Sequence, residues 1–403
     1  MTMNPAILNS ALPLKAQLLV RMLEKLQSGS MRLNLPNGET LDFRGPKEGP
    51  NAELQVRQWS GIGRIVSSGD IGVAEAYRDG DIDSPDMLQV LLLALANSEA
   101  LEQALHGSFI GTVVYRLRHW LNRNTRKNSR KNIHAHYDIG NLFYRLWLDR
   151  TMTYSSAIFS HPGQSLDDAQ IAKYDRLLRL IDAKPGQHIL EIGCGWGGFA
   201  EYAALNYGVQ VTGISLSREQ LAWAANRVKG TLAESKTEFR YQDYRDIKGR
   251  FDAIVSIEML EAVGEEWWPT YFKTLHRTLK PGGKAAIQTI TIGDAYFDNY
   301  RLGTDFIQQY IFPGGMLPSP QRLRREVMEA GLDTVNEFTF GEDYAETLKR
   351  WRQTFEQHLE AIRQQGFDDA FIRLWRFYYW YCEAGFLTRR TDVCQLVLTH
   401  QAD

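Results

Sequence analysis

The sequence predicts an α/β protein in which a doubly wound, Rossmann-like parallel sheet follows a smaller N-terminal α+β unit. Two observations indicate the parallel sheet. From Gln187 onward, apolar strand-like segments alternate with helix-like segments at short intervals, which is the pattern of βαβ units. The first of these strands also opens through a glycine-rich turn into a helix. In such sheets, ligands bind at the carboxyl ends of the strands.

The elements of this sheet follow one another in a regular order. After the strand that ends at Ile192, we expect strands at Val209–Ser215, Thr237–Gln242, Phe251–Ile257 and Lys284–Thr291, and a final edge strand at Asp392–His400. Ser217 is placed to cap a helix over 218–229. Phe251–Ile257 is largely apolar, which predicts a strand that is covered on both faces.

The N-terminal residues 1–114 form the predicted smaller domain. Met31–Gln58 alternates polar and apolar residues around a Pro-Asn-Gly turn and predicts a small β-meander. A helix over Asp86–Ala104 follows, with Ser84 placed as its cap. Residues 115–131 then form a basic linker, which carries seven Lys and Arg residues and no acidic residue. This segment is either a solvated linker or a contact with anionic lipid headgroups.

Residues 132–403 form the predicted main domain, with helical and aromatic insertions. Two long helical segments, Asp343–Gln365 and Asp368–Thr388, belong to these insertions. The second carries aromatic residues all around the helix, which indicates burial on several sides. Either it packs in a core, or it lines an apolar tunnel.

Composition limits the classes of function. The net charge of −2 gives no overall attraction to nucleic acid. The three cysteines show neither a disulfide framework nor a metal-ligand spacing, so we expect no metal site. The first residues lack the pattern of a signal peptide, and the run Val90–Ala96 is too short to span a bilayer. We therefore expect a cytoplasmic protein that meets any membrane from its surface.

The glycine-rich turn is the most informative motif. Glu191 is followed by Gly193, Gly195, Gly197 and Gly198. An acidic residue, an apolar residue and G-x-G-x-G after a strand are typical of S-adenosylmethionine-dependent methyltransferases. The spacing differs from the G-x-G-x-x-G of dinucleotide-binding folds, and no G-K-[ST] follows to hold phosphates. Glycines at these positions let a ligand lie directly against backbone N–H groups.

Six motifs occur in one order along the chain. They are His136–Asn141, Thr153–Ala157, Glu191–Gly198, Gln242–Asp246, Ser256–Glu261 and Tyr310–Gly315. In these motifs the chain resembles the cyclopropane-fatty-acyl-phospholipid synthase family, which includes the mycolic acid cyclopropane synthases and related fatty-acyl C-methyltransferases. The resemblance is close over Asn132–Thr399. It is looser in the N-terminal unit, which is similar to the lipid-facing domain of the bacterial phospholipid-acting members.

The resemblance implies a reaction and its partners. A methyl group passes from S-adenosylmethionine to a carbon of a cis double bond in an acyl chain of a membrane phospholipid, and the resulting carbocation loses a proton. Loss from the new methyl group closes a cyclopropane ring, which is the expected product. A methylene or methyl-branched chain is the alternative product. The family further implies peripheral association with the inner face of the membrane and is compatible with a homodimer.

By position, the resemblance assigns cofactor contacts to eight residues. They are Tyr154, Ser155, Gly193, Gly195, Ser215, Gln220, Asp243 and Tyr244. Ser215 and Gln220 match a hydroxyl residue and a downstream glutamine of the family, whereas other methyltransferases commonly hold the ribose with a carboxylate. Otherwise, Ser215 simply ends a strand. Asp243 follows the third strand, where an acceptor for the adenine edge would fit.

The resemblance also implies a site for the proton acceptor. Cyclopropane-forming members hold a bicarbonate ion there, and the corresponding positions are Ser156, Glu261, Gln288, Ile290 and Tyr344. Gln288 replaces a histidine and cannot take up a proton; Ser156 replaces a cysteine but still offers a hydroxyl donor. Glu258 adds a carboxylate, which would share a helical face with Glu261 if the chain turned helical, and their repulsion would raise one pKa.

These departures leave the proton acceptor open. Either Glu258 or Glu261 removes the proton directly, or a weakly held bicarbonate does so and Glu258 is a supporting structural acid. Two other functions also stay open, namely methylation of a small soluble acceptor and lipid binding without catalysis. The N-terminal unit and the basic linker disfavour the first of these. The intact glycines, Gln220, Glu261 and Tyr344 disfavour the second.

Overall fold

The structure is a computed structural model, and it describes residues 12–105 and 139–402. These residues divide into two compact units. The first unit contains the described residues up to 105, together with Gly303–Ile311 and Arg363–Thr388. The second unit contains the rest of the described chain. Two segments of the predicted main domain thus belong to the first unit, while the basic linker and the predicted boundaries beside it lie outside the described residues.

Helices and strands are numbered here in chain order. The α-helices are α1 (Leu14–Leu23), α2 (Trp59–Arg78), α3 (Met87–Ala96), α4 (Ser98–Leu105), α5 (Asn141–Arg145), α6 (Leu166–Leu180), α7 (Gly198–Tyr207), α8 (Arg218–Val228), α9 (Trp268–Thr278), α10 (Asp294–Leu302), α11 (Pro320–Glu329), α12 (Gly341–Gln357), α13 (Leu359–Gln364) and α14 (Asp369–Leu387). The strands are β1 (Ser28–Asn34), β2 (Thr40–Arg44), β3 (Lys47–Val56), β4 (Ile82–Asp83), β5 (His188–Ile192), β6 (Gln210–Ser215), β7 (Thr237–Tyr241), β8 (Phe251–Ile257), β9 (Leu279–Ile292), β10 (Leu332–Thr339) and β11 (Thr391–His400).

The first unit is built around a four-stranded sheet in the order β2-β1-β3-β4. Strand β1 pairs antiparallel with β2 but parallel with β3, so the predicted meander is wrong. After β2 the chain crosses to the other side of β1 and passes very close to Ser28. A Cβ at Gly45 would lie 2.5 Å from Ser28 N, so this crossing requires glycine.

The predicted helix over Asp86–Ala104 is in fact two helices. Asp86, rather than Ser84, caps α3 by accepting a hydrogen bond from Gln89 N (3.3 Å). The break falls at Asn97, whose side chain binds the backbone at the start of β1. Its Oδ1 accepts from Gln27 N (2.7 Å) and its Nδ2 donates to Ser28 O (3.0 Å). This tertiary role of one side chain is not visible in the helical pattern.

Helix α14 carries the predicted run of aromatic residues, and most of them are buried. The rings of Phe377 and Trp380 lie 6.3 and 5.8 Å from the ring of Tyr77 in α2. The guanidinium of Arg373 stacks on Tyr77 at 3.8 Å and donates to Ile82 O (2.9 Å). These contacts show a packing role for α14 within the first unit.

The second unit contains a seven-stranded sheet in the order β10-β11-β9-β8-β5-β6-β7. The five neighbouring strands β9, β8, β5, β6 and β7 are parallel to one another. Strand β11 is antiparallel to both β9 and β10. The predicted doubly wound α/β fold is therefore confirmed. The prediction of β11 as the edge strand is wrong, because β10 lies outside it. Strand β9 also begins earlier than predicted, at Leu279, with a register shift against β8.

The sheet of the second unit is covered on both faces. Leu190 of β5 packs with Ile254 and Trp268 in one buried cluster, whereas its neighbour Ile189 packs with Phe199 in another. The strand order reverses at β5, which has β6 on one side and β8 on the other. This reversal leaves a crevice at the carboxyl end of β5. In the described part of the chain, no helix is both long and apolar enough to cross a membrane.

Candidate active site

A cavity lies in this crevice, and most of the predicted cofactor residues line it. Those that do are Tyr154, Ser155, Gly193, Gly195, Ser215, Gln220 and Tyr244. The chain brings them there from the segment before α6, from the turn after β5 and from the ends of β6 and β7. The remaining predicted residue, Asp243, does not line the cavity. Both of its carboxylate oxygens instead bind Arg245, at 2.9 and 2.6 Å.

The turn after β5 exposes backbone to the cavity. Gly193 and Gly195 both have positive φ angles, 85° and 50°. A Cβ added at Gly195 would meet no atom within 4 Å, so the space beside it is open. The N–H groups of Gly193 and Cys194 donate to Ile214 O in β6, each at 3.0 Å. The turn is therefore fixed to its neighbouring strand while the face of Gly195 remains accessible.

Glu191 gives a direct test of whether S-adenosylmethionine fits this cavity. Its side chain lines the cavity and is 3% exposed. Among the described residues, its Oε2 atom has no hydrogen-bond partner, and burial raises the pKa of the carboxyl well above its ordinary value. An unpartnered buried carboxyl oxygen is suited to a cationic or N–H-bearing ligand. S-adenosylmethionine carries an ammonium and a sulfonium, so the site fits this cofactor.

Ser215 and Gln220, the pair predicted to act together, are joined in the structure. The hydroxyl of Ser215 donates to Gln220 Oε1 at 3.0 Å. Ser217 caps α8 by accepting from Gln220 N at 3.2 Å, which confirms the predicted cap. The first turn of α8 thus holds the glutamine against the end of β6.

An aromatic cluster surrounds Tyr154 beside the cavity. The rings of Tyr144, Trp147 and Trp351 lie 5.4–5.5 Å from the ring of Tyr154, and that of Phe312 lies at 6.1 Å. Aromatic faces stabilise a nearby cation by about 0.5–2 kcal/mol each. Of these residues, the sequence motifs contain Tyr154 and Phe312.

Glu258 is bound by three of the residues predicted to hold the proton acceptor. Its Oε1 accepts from Ser156 N (2.9 Å) and from Gln288 Nε2 (2.8 Å), and its Oε2 accepts from Tyr344 Oη (2.6 Å). The residue follows β8 with a φ of 47°, which is rare for a non-glycine residue. This left-handed turn directs its carboxylate into the pocket. The side chain thus has three of the five partners that the resemblance assigns to a bicarbonate ion.

Two predictions about this pocket change in detail. Ser156 contributes its backbone N–H, while its hydroxyl donates to Ala157 O (2.9 Å), so the expected hydroxyl donor is wrong. The chain is also not helical at Glu258, because a 3₁₀ turn begins only at Leu260. Glu258 and Glu261 therefore do not share a helical face.

Gln288 has a fixed orientation, which the sequence did not reveal. Its Oε1 accepts from Gln395 Nε2 (3.0 Å), and Gln395 Oε1 accepts from Arg176 Nη1 (2.6 Å). Since the carbonyl oxygen of Gln288 is occupied by a donor, its NH₂ group must face Glu258. Arg176 and Gln395 thus fix the direction of a hydrogen bond to the carboxylate.

Glu261 lies in a separate set of contacts. Its Oε1 accepts hydrogen bonds from Thr289 Oγ1 (2.9 Å) and from the backbone N–H of Ile290. Its Oε2 has no partner among the described residues. Burial, together with the charge of Glu258, raises its pKa to about 8. Burial raises the pKa of Glu258 as well, but Lys173 and the hydrogen bonds from Tyr344, Gln288 and Ser156 oppose that rise. The predicted repulsion thus acts mainly on Glu261.

The structure describes only part of the first predicted motif, because residues 136–138 lie outside the described chain. At its end, Asn141 Oδ1 accepts a hydrogen bond from Trp196 Nε1 (2.7 Å). This contact joins the motif to the glycine-rich turn.

Comparison with known proteins identifies relatives of this chain. The family model described as mycolic acid cyclopropane synthetase matches residues 124–396. The tuberculostearic acid methyltransferase UfaA1 of Mycobacterium tuberculosis is 38% identical over 84% of this chain and 81% of its own length. The cyclopropane-fatty-acyl-phospholipid synthase of Escherichia coli K12 is 33% identical over 86% of this chain and 88% of its own length.

A solved structure agrees with these sequence relatives. The crystal structure of mycolic acid cyclopropane synthase CmaA1, complexed with SAH and CTAB, is 28% identical and superposes with a TM-score of 0.62. The match covers 67% of this chain and 97% of that protein.

Proposed function

Because the chain belongs to the mycolic acid cyclopropane synthetase family and is an S-adenosylmethionine-dependent methyltransferase, we propose that it methylates a cis double bond in an acyl chain of a membrane phospholipid. The Glu258 carboxylate then removes the proton that must leave. One observation carries this proposal: Ser156, Gln288 and Tyr344 donate their hydrogen bonds to Glu258. The site therefore contains its own carboxylate at the predicted position of the bicarbonate.

Electrostatics support Glu258 over a bound anion. A bicarbonate ion would have to compete with a carboxylate that is already satisfied by three donors, and two anions in one buried pocket repel each other. Near neutral pH, Glu261 keeps its proton because its pKa is raised to about 8. Burial raises the pKa of Glu258 too, but its three donors and Lys173 oppose that rise, so we assign the negative charge of the pair to Glu258.

The residues around the cavity contribute binding and shielding. When bound, S-adenosylmethionine supplies the methyl group. Gly195 and the Ser215–Gln220 pair are placed to bind it, and Glu191 is placed to accept a hydrogen bond from it. The alkene is a weak nucleophile, so its position and the exclusion of water determine whether the reaction proceeds. The aromatic cluster around Tyr154 favours a positive charge beside the cavity.

The product depends on how soon the proton leaves. Methyl transfer leaves the positive charge on the neighbouring chain carbon. If the new methyl group loses a proton at once, its carbon bonds to the cationic carbon and a cyclopropane closes. If a hydride first moves from the methyl-bearing carbon to the cationic carbon, the same proton loss leaves a methylene group (C=CH₂) on the chain. Both products have the same composition.

Glu258 is held by its backbone turn and by three hydrogen bonds, so it cannot follow the methyl group as a free anion could. This delay favours the hydride shift, and we propose a methylene-branched acyl chain as the main product. Cyclopropane is the second candidate, and it is favoured by the relative that is named a cyclopropane-fatty-acyl-phospholipid synthase.

The test is product analysis with purified protein, methyl-labelled S-adenosylmethionine and vesicles of a cis-monounsaturated phospholipid. The expected result is labelled acyl chains that show the proton NMR signals of a C=CH₂ group. High-field cyclopropane signals would establish the second candidate instead. If the lipids stay unlabelled, the proposal fails; labelling of a soluble acceptor would then indicate a small-molecule methyltransferase, and cofactor binding alone a lipid-binding protein.

We further propose that the protein works as a peripheral protein at the inner face of the membrane. The basic linker, residues 115–131, supports this, because each cation near an anionic surface contributes on the order of 1 kcal/mol. Flotation with anionic vesicles should recover the protein, and high salt or neutral vesicles should release it. Recovery that is independent of lipid charge would contradict this proposal. The homodimer stays a prediction, which light scattering tests.

A further inference from the structure

Lys173 is a buried lysine that the proposed reaction does not use. It lies on α6 and is 0% exposed. Its Nζ donates one hydrogen bond, to Ser155 Oγ at 2.6 Å. No carboxylate of the described residues lies within ion-pair distance of it, although burial of an unpaired ammonium is costly. A salt bridge therefore does not account for the burial of this lysine.

The charges around Lys173 suggest a role for it. Burial lowers the pKa of Lys173 to about 7, and the charges of Glu258 and Asp149 oppose that decrease, so the side chain is a cation mainly below neutral pH. Tyr174 is its neighbour on α6, with Nζ 5.2 Å from the ring centroid. Asp149 is already satisfied by Thr151 and Thr153, whose N–H groups donate to it at 2.8 and 2.9 Å. Glu258 is thus the carboxylate of the reaction site on which the field of Lys173 acts.

The two active-site glutamates differ in this respect. Glu258 has three donors and the field of Lys173, and its other charged or titratable neighbours are Tyr344 and Glu261. Glu261 has two donors on one oxygen, an unpartnered second oxygen and the repulsion of Glu258. Lys173 therefore favours a negative charge on Glu258 over a negative charge on Glu261.

We propose that Lys173 is a positioning residue that keeps Glu258 ionised and leaves the proton of the pair on Glu261. This inference rests on the proposed function, since it specifies which glutamate is free to accept the proton from the substrate. Lys173 does not itself line the cavity, although it contacts Ser155, which does. It acts through the charge of Glu258, and through Ser155 it is tied to the loop whose next residue, Ser156, donates to Glu258.

Gln170 provides a matched control on the same helix. It is also 0% exposed, and its Nε2 donates to Ser155 O at 2.9 Å. Gln170 therefore supports the same loop without carrying a charge. Lys173→Met and Gln170→Met remove comparable packing and hydrogen bonding, but only the first removes the cation.

The first measurement is the pH dependence of kcat on unsaturated phospholipid vesicles. In Lys173→Met the acidic limb should move upward by about 1–3 pH units, so the loss of rate relative to the wild type should grow as the pH falls below 7. Gln170→Met should lower the rate without moving the limb. The dissociation constant of S-adenosylhomocysteine, measured by calorimetry, should stay within about threefold in both variants. An unmoved limb in Lys173→Met, or an equal movement in both variants, would refute the proposal.

The second measurement does not depend on turnover. Infrared spectra near neutral pH should show a protonated carboxyl band that Glu261→Gln removes from the otherwise unchanged protein. In Lys173→Met, a band that Glu258→Gln removes should appear. If Lys173→Met does not fold, Lys173→Gln serves in its place. Absence of the second band would overturn the inference even in an active enzyme, whereas an inactive enzyme with the expected bands would count against the proposed function alone.

Discussion

At the carboxyl end of β5, Gly195 leaves open space for a cofactor, whereas at the carboxyl end of β8 the Glu258 side chain fills the pocket of the proton acceptor. The first region follows the family motif and includes Glu191 Oε2, which has no partner in the described part of the chain and which a ligand can satisfy. In the second, Glu258 is satisfied by Ser156, Gln288 and Tyr344. We therefore expect that separate substitutions can alter cofactor binding and proton removal in this site.

The largest expected effect is on the cofactor region alone. Gly195→Val should reduce S-adenosylhomocysteine binding below detection, because the new side chain would fill the open space beside the turn and would strain a backbone with a φ of 50°. Gly186→Val is the matched control, since Gly186 has a φ of 83° and open space around it but lies outside the cavity. Calorimetry should show binding only in the control. If Gly195→Val still bound S-adenosylhomocysteine, the glycine turn would not be part of the cofactor site.

The next prediction compares Glu258, the proposed base, with its neighbour Glu261. Glu258→Gln should lower kcat by about 10²–10⁴-fold, the usual contribution of a general base, while S-adenosylhomocysteine binds as before. Glu261→Gln should lower it by about tenfold at most, because an amide resembles the protonated carboxyl that this residue keeps near neutral pH. Turnover of labelled S-adenosylmethionine on vesicles measures both. The opposite ranking of the two variants would assign the base to Glu261.

Tyr344→Phe sharpens the comparison by removing one donor of the base. A hydrogen bond to a charged group contributes about 1.5–3 kcal/mol, so kcat should fall by about 10- to 100-fold. The pKa of Glu258 should rise, because the hydroxyl of Tyr344 stabilises its charged form. The acidic limb of the rate profile would therefore move to higher pH. A change in KM without any shift of this limb would contradict the assigned contact.

The last prediction concerns stability rather than turnover. In the folded protein, Glu261 holds its proton up to a pKa of about 8, whereas its ordinary value is 4.5. Between these values the native state binds more protons than the unfolded state, so stability falls as pH rises. Glu261→Gln should remove this penalty, by up to about 1.4 kcal/mol per pH unit. The difference in free energy of unfolding, variant minus wild type, should thus grow from pH 4.5 to 8; a constant difference would show that Glu261 is ionised.

The same two regions show how far the sequence can predict the site. Gly195 and the Ser215–Gln220 pair came directly from a motif, because residue types that permit one backbone conformation fix local geometry. Glu258 was visible only as an additional carboxylate. Its position depends on a left-handed turn, and no residue type such as glycine or asparagine marks that turn in the sequence.

Long-range contacts explain the other differences. Lys173 occurs in a polar helical segment and is buried only in the folded chain. Strand β10 has mostly exposed side chains, so its apolar pattern is weak and β11 was predicted as the edge. Ser156 contributes a backbone group, which its residue type does not reveal. Local patterns predicted the sheet, whereas side-chain orientation across the site required the tertiary structure.

The claim that the site carries its own base is tested most directly by turnover of the wild-type protein in buffer from which bicarbonate has been rigorously removed. With unsaturated phospholipid vesicles and S-adenosylmethionine, the rate should be the same before and after bicarbonate is added back. A sharp loss of turnover that added bicarbonate restores would show that an exchangeable anion, and not Glu258, accepts the proton.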